Sequence, residues 1–300
     1  MTMLNVNNKA LGPTKGSPPM DFLQRHALAA YFVLAFAITW LIAWPLLASA
    51  QGLLRLPVPF ALHYLTAYSP LLAALLVTGL TAGAAGLREL VGRMFKWRVG
   101  IGWILISAFS LVALFAVAAI IAHLLGEPWP NLRQLGQVDY LPNLGVGAWL
   151  FWILTSGFGE ETGWRGFALP RLQKTHSALT ATLIVAVFWV LWHVPFFFYL
   201  ATYLQLGWAM FPVFALGILA GAIVLTWLYN STNGSILMPA LFHGTLNFVT
   251  ATPASAGAIA AIISIVIMVW AVFVVIAGKP ANLSHRTKQV FQELRKRRST

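Results

Sequence analysis

The sequence predicts an all-α, polytopic integral membrane protein, a helical bundle of about eight transmembrane helices. Three observations predict it. Of 300 residues, 59% are hydrophobic and only 9% charged, against about 25% charged in a soluble domain, so lipid must solvate much of the surface. Apolar runs recur at the length needed to cross a hydrocarbon core, about 20 residues. Basic residues cluster in every second connection between those runs, as orientation in a membrane requires.

Taken in order, residues 1–26 are polar, contain Pro13, Pro18 and Pro19, and read as a disordered tail. The first apolar run, near 27–50, is too long for a signal-peptide core and is followed by further spans, so it reads as an uncleaved helix. Further runs lie near 60–81, 99–125, 145–169, 178–200, 208–229, 235–251 and 256–278, of which 235–251 is the shortest and most polar. All should be helical, because lipid offers no partner to unpaired backbone groups. Strands of about ten alternating residues, the mark of a membrane barrel, are absent. The divisions that follow are a tail (1–26), N-terminal transmembrane helices (27–144), a central region rich in polar motifs (145–251), a last helix (252–278) and a basic tail (279–300).

With eight spans and a cytoplasmic N-terminus, seventeen basic residues fall on the cytoplasmic side, from Lys9, Lys15 and Arg25 to the seven between Lys279 and Arg298. Only Arg55 and Arg133 fall on the other. The expectation is a multi-pass protein of the cell membrane with both termini cytoplasmic. The net charge of +12 is therefore read as topology. The basic residues flank apolar spans and form no folded patch, so no nucleic-acid partner is expected. There are no cysteines, which excludes disulfides, thiol nucleophiles and thiolate metal sites.

Seven acidic residues exist, and five lie in tails or loops: Asp21, Glu89, Glu127, Asp139 and Glu293. Glu160 and Glu161 instead sit together after the apolar stretch 150–159. An acidic side chain at mid-membrane costs about 2.5–3.5 kcal/mol even on a lenient insertion scale. Arg165, four residues after Glu161, stands in the favoured order for a helical ion pair. Glu160 points about 100° away around the helix and has no local partner. A second feature is His193, followed by Pro195 and preceded by Trp189. A third is His243 and Asn247, spaced to share one helix face. One free glutamate, two histidines and an asparagine on three neighbouring helices form a plausible site. Aspartyl chemistry lacks its two membrane Asp residues. The HExxH zinc motif and the G-x-S-x-G elbow are both absent. What remains is a Glu/His pair that activates water, with or without a metal.

The segment Glu160-Glu-Thr-Gly-Trp-Arg165 resembles the E-E-x-x-x-R motif of the CPBP family of intramembrane proteases, which comprises type II CAAX prenyl proteases and bacteriocin-processing enzymes. Trp189-Val-Leu-Trp-His193 is similar to its second motif, with Trp where Phe is common, and His243-Gly-Thr-Leu-Asn247 matches the third, H-x-x-x-N. The resemblance covers roughly residues 145–250. It implies an intramembrane endopeptidase acting on a peptide or protein substrate at the membrane. Glu160 and His193 would activate the attacking water, and His243 and Asn247 would stabilise the tetrahedral oxyanion. Glu161 and Arg165, with Trp189, would brace the structure. Zinc held by Glu160, His193 and His243 is one reading. A metal-free glutamate mechanism is the preferred one, since a glutamate in a low-dielectric cleft can serve as general base near neutral pH. The rival functions are a transporter using Glu160 and His193 as a proton relay, and a non-catalytic immunity or scaffold member of the same fold.

Overall fold

The structure is a computed structural model that describes residues 18–291, except residue 56 and residues 139–143. Asp139, Glu293 and the basic run after Phe291 lie outside the described residues, as does the tail before Pro18. Among the described residues every regular element is helical. The principal helices are α1 (Pro18–Arg25), α2 (Ala27–Ala50), α3 (Leu62–Thr66), α4 (Ser69–Met94), α5 (Ile101–Leu124), α6 (147–172), α7 (Ala178–Trp192), α8 (Ala201–Leu206), α9 (Phe211–Ser231), α10 (Leu237–Thr250) and α11 (Ala258–Asn282). The presence of α1 differs from the expected tail over 1–26. Its start fits Pro18, whose fixed φ suits a first helical position, and the Phe22 ring packs 4.4 Å from that of His26.

Among the described residues, six helical stretches are long and apolar enough to cross a membrane, at Ala27–Ala50, Leu62–Met94, Ile101–Leu124, Ala178–Phe198, Trp208–Ser231 and Ala258–Asn282. The two missing from the expected eight are α6 and α10, which carry the polar motifs. At 14 residues, α10 is about 21 Å long at 1.5 Å per residue, short of the roughly 30 Å core. Both nevertheless run between the two ends of the bundle, as the loop contacts show. At one end, Ile236 N–H donates to Arg93 O at 2.9 Å, Ser235 to Lys96 O at 2.7 Å, and Asn230 to Asn282 O at 2.8 Å. At the other, Gln51 donates to Phe198 O at 2.8 Å and Thr252 to Gln134 O. The first end gathers Arg88, Arg93, Lys96, Arg98, Lys174, Lys279, Arg286 and Lys288; the second has Arg55 and Arg133.

Two local features shape the basic end. Gly83 (φ 60°, ψ −159°) breaks α4, and the following limb turns back so that Leu87 lies against Gly79; positive φ makes glycine the natural residue there. At the C-terminus, Leu283 adopts the left-handed conformation that ends α11. The chain then returns to the end of α6. Gln289 N–H donates to Asn230 Oδ1 at 3.1 Å, Gln173 donates to Gln289 O at 2.6 Å, and Phe291 N–H donates to Pro170 O at 2.9 Å. Arg171 lies between the Phe167 and Phe291 rings, 3.4 and 3.9 Å from their centroids. The segment after Lys279, expected to be a basic tail, is thus a strap on the site helix as far as Phe291.

Candidate active site

The site starts from the irregularity of α6. Its backbone widens into π-helical turns at Ile153–Glu160 and Trp164–Ala168, with Glu161–Gly163 between them. Wide turns of this kind recur at functional sites because they re-aim side chains. The absence of side chains at Gly157 and Gly244 lets α6 and α10 nearly touch. A methyl group at Gly157 would lie 2.5 Å from Ala240 O, and one at Gly244 would lie 2.6 Å from the Ile153 backbone. That approach brings His243 to the glutamates.

Both glutamates are buried. The Glu161 carboxylate accepts from Arg165 Nη1 at 3.0 Å and from His243 Nδ1 at 2.9 Å, both through Oε1. Arg165 and Glu161 are 1% and 0% exposed, so their charges balance where water cannot help. Arg165 also lies over the Trp189 ring, 4.6 Å from its centroid. The Trp189 indole N–H donates to Glu160 Oε2 at 2.7 Å. The expected pairing of Arg165 with Glu161 is therefore present. The bond from His243 to Glu161 differs from the expectation, which grouped that ring with Glu160. The 100° argument holds for a regular α-helix, and the widened turns on both sides of Glu161 alter the register.

His193 donates from Nδ1 to Trp189 O at 2.7 Å, because a carbonyl can only accept. The same logic puts a proton on His243 Nδ1, facing the Glu161 carboxylate. Both rings flank one indole: the Trp189 centroid is 6.0 Å from that of His193 and 5.3 Å from that of His243. Each ring thus has one nitrogen anchored and Nε2 available. Asn247, one turn beyond His243, is half-buried, and its side chain makes no hydrogen bond among the described residues. Glu160 has one oxygen anchored by Trp189; its second, Oε1, accepts none there. The structure gathers Glu160, Glu161, Arg165, His193 and His243 around Trp189.

Other contributors come from the N-terminal helices, where the sequence reading named no site residue. The Trp192 N–H donates to Thr39, which is hydrogen-bonded to Ser69, tying α7 to α2 and α4. Tyr31 stacks on Phe167, 4.8 Å between centroids, and Gly163 packs against its hydroxyl and Pro70. Polar Thr39 and Ser69 inside or at the edge of apolar spans were the available signal.

Nδ1 anchored and Nε2 presented is how ligating histidines are commonly held. Yet among the described residues no three His, Asp or Glu side chains form a group that could hold a metal ion. No step below is routed through a metal.

The region holding all three polar motifs also matches a known family. Residues 142–249 match the family described as type II CAAX prenyl endopeptidase, Rce1-like. The match covers 108 of the chain's 300 residues. A curated relative, CAAX prenyl protease 2 of Methanococcus maripaludis, is 35% identical over 103 residues, which are 33% of this chain and 38% of the relative. The chain therefore aligns with well under half the length of that relative. Glu160, Glu161, Arg165, Trp189, His193, His243 and Asn247 all fall inside the matched stretch; Thr39, Ser69 and Tyr31 lie outside it.

Proposed function

We propose that the chain is an intramembrane endopeptidase that hydrolyses peptide bonds of membrane-associated peptides or proteins. The observation that carries this reading is the buried Glu160–Glu161 pair, held by Trp189, Arg165 and His243 inside an Rce1-like domain. In a membrane interior two adjacent carboxylates demand a purpose beyond packing.

The roles follow from which atoms are anchored and which are available. Glu160, held at Oε2, acts through Oε1 as general base and takes a proton from water. His193 presents a lone pair on Nε2 and orients the same water. The water oxygen bonds to the carbonyl carbon, and the carbonyl oxygen becomes an oxyanion. His243 Nε2 donates to that oxyanion when the ring is an imidazolium, with the Glu161 carboxylate at Nδ1 balancing its charge. Asn247 supplies a second donor through its amide. Such preorganised donors in a low-dielectric site are worth about 3–4 kcal/mol in the transition state. On collapse the C–N bond breaks, and the proton held by Glu160 passes to the amine leaving group. The carboxyl product keeps the water oxygen, so the step balances without a further reactant. Glu161, Arg165 and Trp189 are positioning residues, acting through His243 and Glu160.

The name of the Methanococcus relative makes a prenylated peptide ending in a CAAX sequence the first substrate to test. We further propose that the basic end of the bundle faces the cytoplasm of a cell membrane. The test is mass spectrometry of products from the purified protein in detergent, with prenylated and unprenylated CAAX peptides. Cleavage by the wild type that is lost in Glu160→Gln supports the reading; cleavage of neither, or equal cleavage by the variant, overturns it.

A further inference from the structure

A cavity of about 200 Å³ lies away from the catalytic candidates, between α5, α9 and α11 at the basic end. Its inner wall is aromatic. Trp103 and Trp227 lie 5.1 Å apart, and Trp227 and Trp270 5.6 Å apart, between ring centroids. Phe273, 65% exposed on the outer face of α11, stands at its rim. The faces of α11 around that rim are apolar and exposed, at Val269, Val272 and Ile276. In a membrane such surface meets lipid, so an occupant reaches the cavity from the bilayer.

The other end of the cavity is polar and basic. It is formed by the first residues of the strap, Ser284, His285 and Arg286, and no acidic residue lines it. Arg286 is exposed, and its guanidinium makes no hydrogen bond or ion pair among the described residues. Its position is nevertheless fixed: Arg286 N–H donates to Ser284 Oγ at 3.0 Å, and Ser284 is hydrogen-bonded to Ser231 at 2.9 Å. From Trp270 to Gly278 the cavity follows α11 over eight residue steps, about 12 Å along the helix axis. It therefore runs from the level of the charged chain end into the apolar zone. Tryptophan is enriched at the depth where a lipid changes from headgroup to chain.

We propose that this cavity binds an anionic phospholipid of the leaflet at the basic end, with its phosphate on Arg286 and one acyl chain against Trp103, Trp227 and Trp270. An apolar ligand alone would leave Arg286 unmatched, and a soluble anion would leave the tryptophan wall unused. Basic pockets between transmembrane helices at this level bind anionic headgroups in the same way. Trp270 also packs on Phe242, 5.7 Å between centroids, and Phe242 adjoins His243, so the deep wall is one ring removed from the candidate site. The inference does not depend on the proposed protease activity.

The test is a titration of the full chain in neutral detergent with phosphatidylglycerol and phosphatidylcholine of identical acyl chains, counting bound lipid by native mass spectrometry. The anionic lipid should bind about fivefold more tightly, the effect of one basic residue at a membrane surface. Inorganic phosphate should not compete. Arg286→Gln should abolish the preference. Ala277→Leu, which fills the cavity without touching a charge, should weaken both lipids. Lys279→Gln, an exposed cation outside the lining, should change neither. Equal binding of the two lipids, a preference that survives Arg286→Gln, full binding in Ala277→Leu, or competition by phosphate would each overturn the proposal.

Discussion

The two adjacent glutamates should respond in opposite ways to the same substitution. Glu160→Gln keeps an amide oxygen for the Trp189 N–H, now 2.7 Å from Glu160 Oε2. Exchanging a charged for a neutral acceptor weakens that bond by about 1 kcal/mol, and the change also relieves the desolvation of one buried carboxylate. The folded state should survive nearly unchanged while the general base is lost. Glu161→Gln removes the counter-charge of Arg165, which lies 3.0 Å away at 1% exposure. Stranding one member of a buried pair costs about 3–5 kcal/mol, a large part of a total stability of about 5–15 kcal/mol. It also removes the carboxylate that faces His243 Nδ1 at 2.9 Å, so any folded fraction should turn over slowly. The assay is monodisperse yield and thermal midpoint in detergent beside cleavage rate. Full activity in Glu160→Gln, or equal loss of yield in both variants, would refute the division of labour argued here.

Gly244→Ala should lower stability by about 1–3 kcal/mol, the usual range for overpacking, because the new methyl would meet the Ile153 backbone at 2.6 Å; an unchanged thermal midpoint would contradict the close α6–α10 contact. Asn247→Ala should slow turnover about 100- to 1,000-fold with little change in yield, as loss of one oxyanion donor does; a rate within a few fold of wild type would remove Asn247 from the chemistry. Reporter fusions after Thr300 and near Arg55 should report opposite sides of the membrane, the C-terminal one cytoplasmic.

The helical membrane bundle was legible from composition and run length, because both follow from solvation by lipid. The partition of basic residues was legible too, and Arg165 needed no place in it: it is 1% exposed in the structure and belongs to the site. The pairing of Arg165 with Glu161 followed from spacing alone. The bond between His243 and Glu161 did not, since it depends on widened turns at Ile153–Glu160 and Trp164–Ala168 that no local pattern announces. Of the two expected spans that are not long apolar helices, 235–251 already stood out as the shortest and most polar and is the short α10, whereas 145–169 gave no such sign and is the irregular α6. In both cases bonds and packing within the protein, here to Trp189, Arg165 and the facing glycines, replace part of what lipid contact supplies elsewhere. The strap over 283–291 was read as a free basic tail because its anchors, Gln173, Asn230 and Pro170, lie far away in sequence. Thr39, Ser69 and Tyr31 support the site from helices whose sequence carried no motif.

The central claim is that Glu160 is the base for peptide hydrolysis and that this chain's own side chains suffice for the step. The most direct measurement is the single-turnover cleavage rate of a membrane-anchored peptide by the purified protein. Wild type and Glu160→Gln would be compared, each before and after exhaustive chelation with metal content verified by elemental analysis. The account predicts a wild-type rate unchanged by chelation and a rate at background in Glu160→Gln under both conditions. Cleavage that persists in Glu160→Gln, or that vanishes on chelation and returns with zinc, would contradict it.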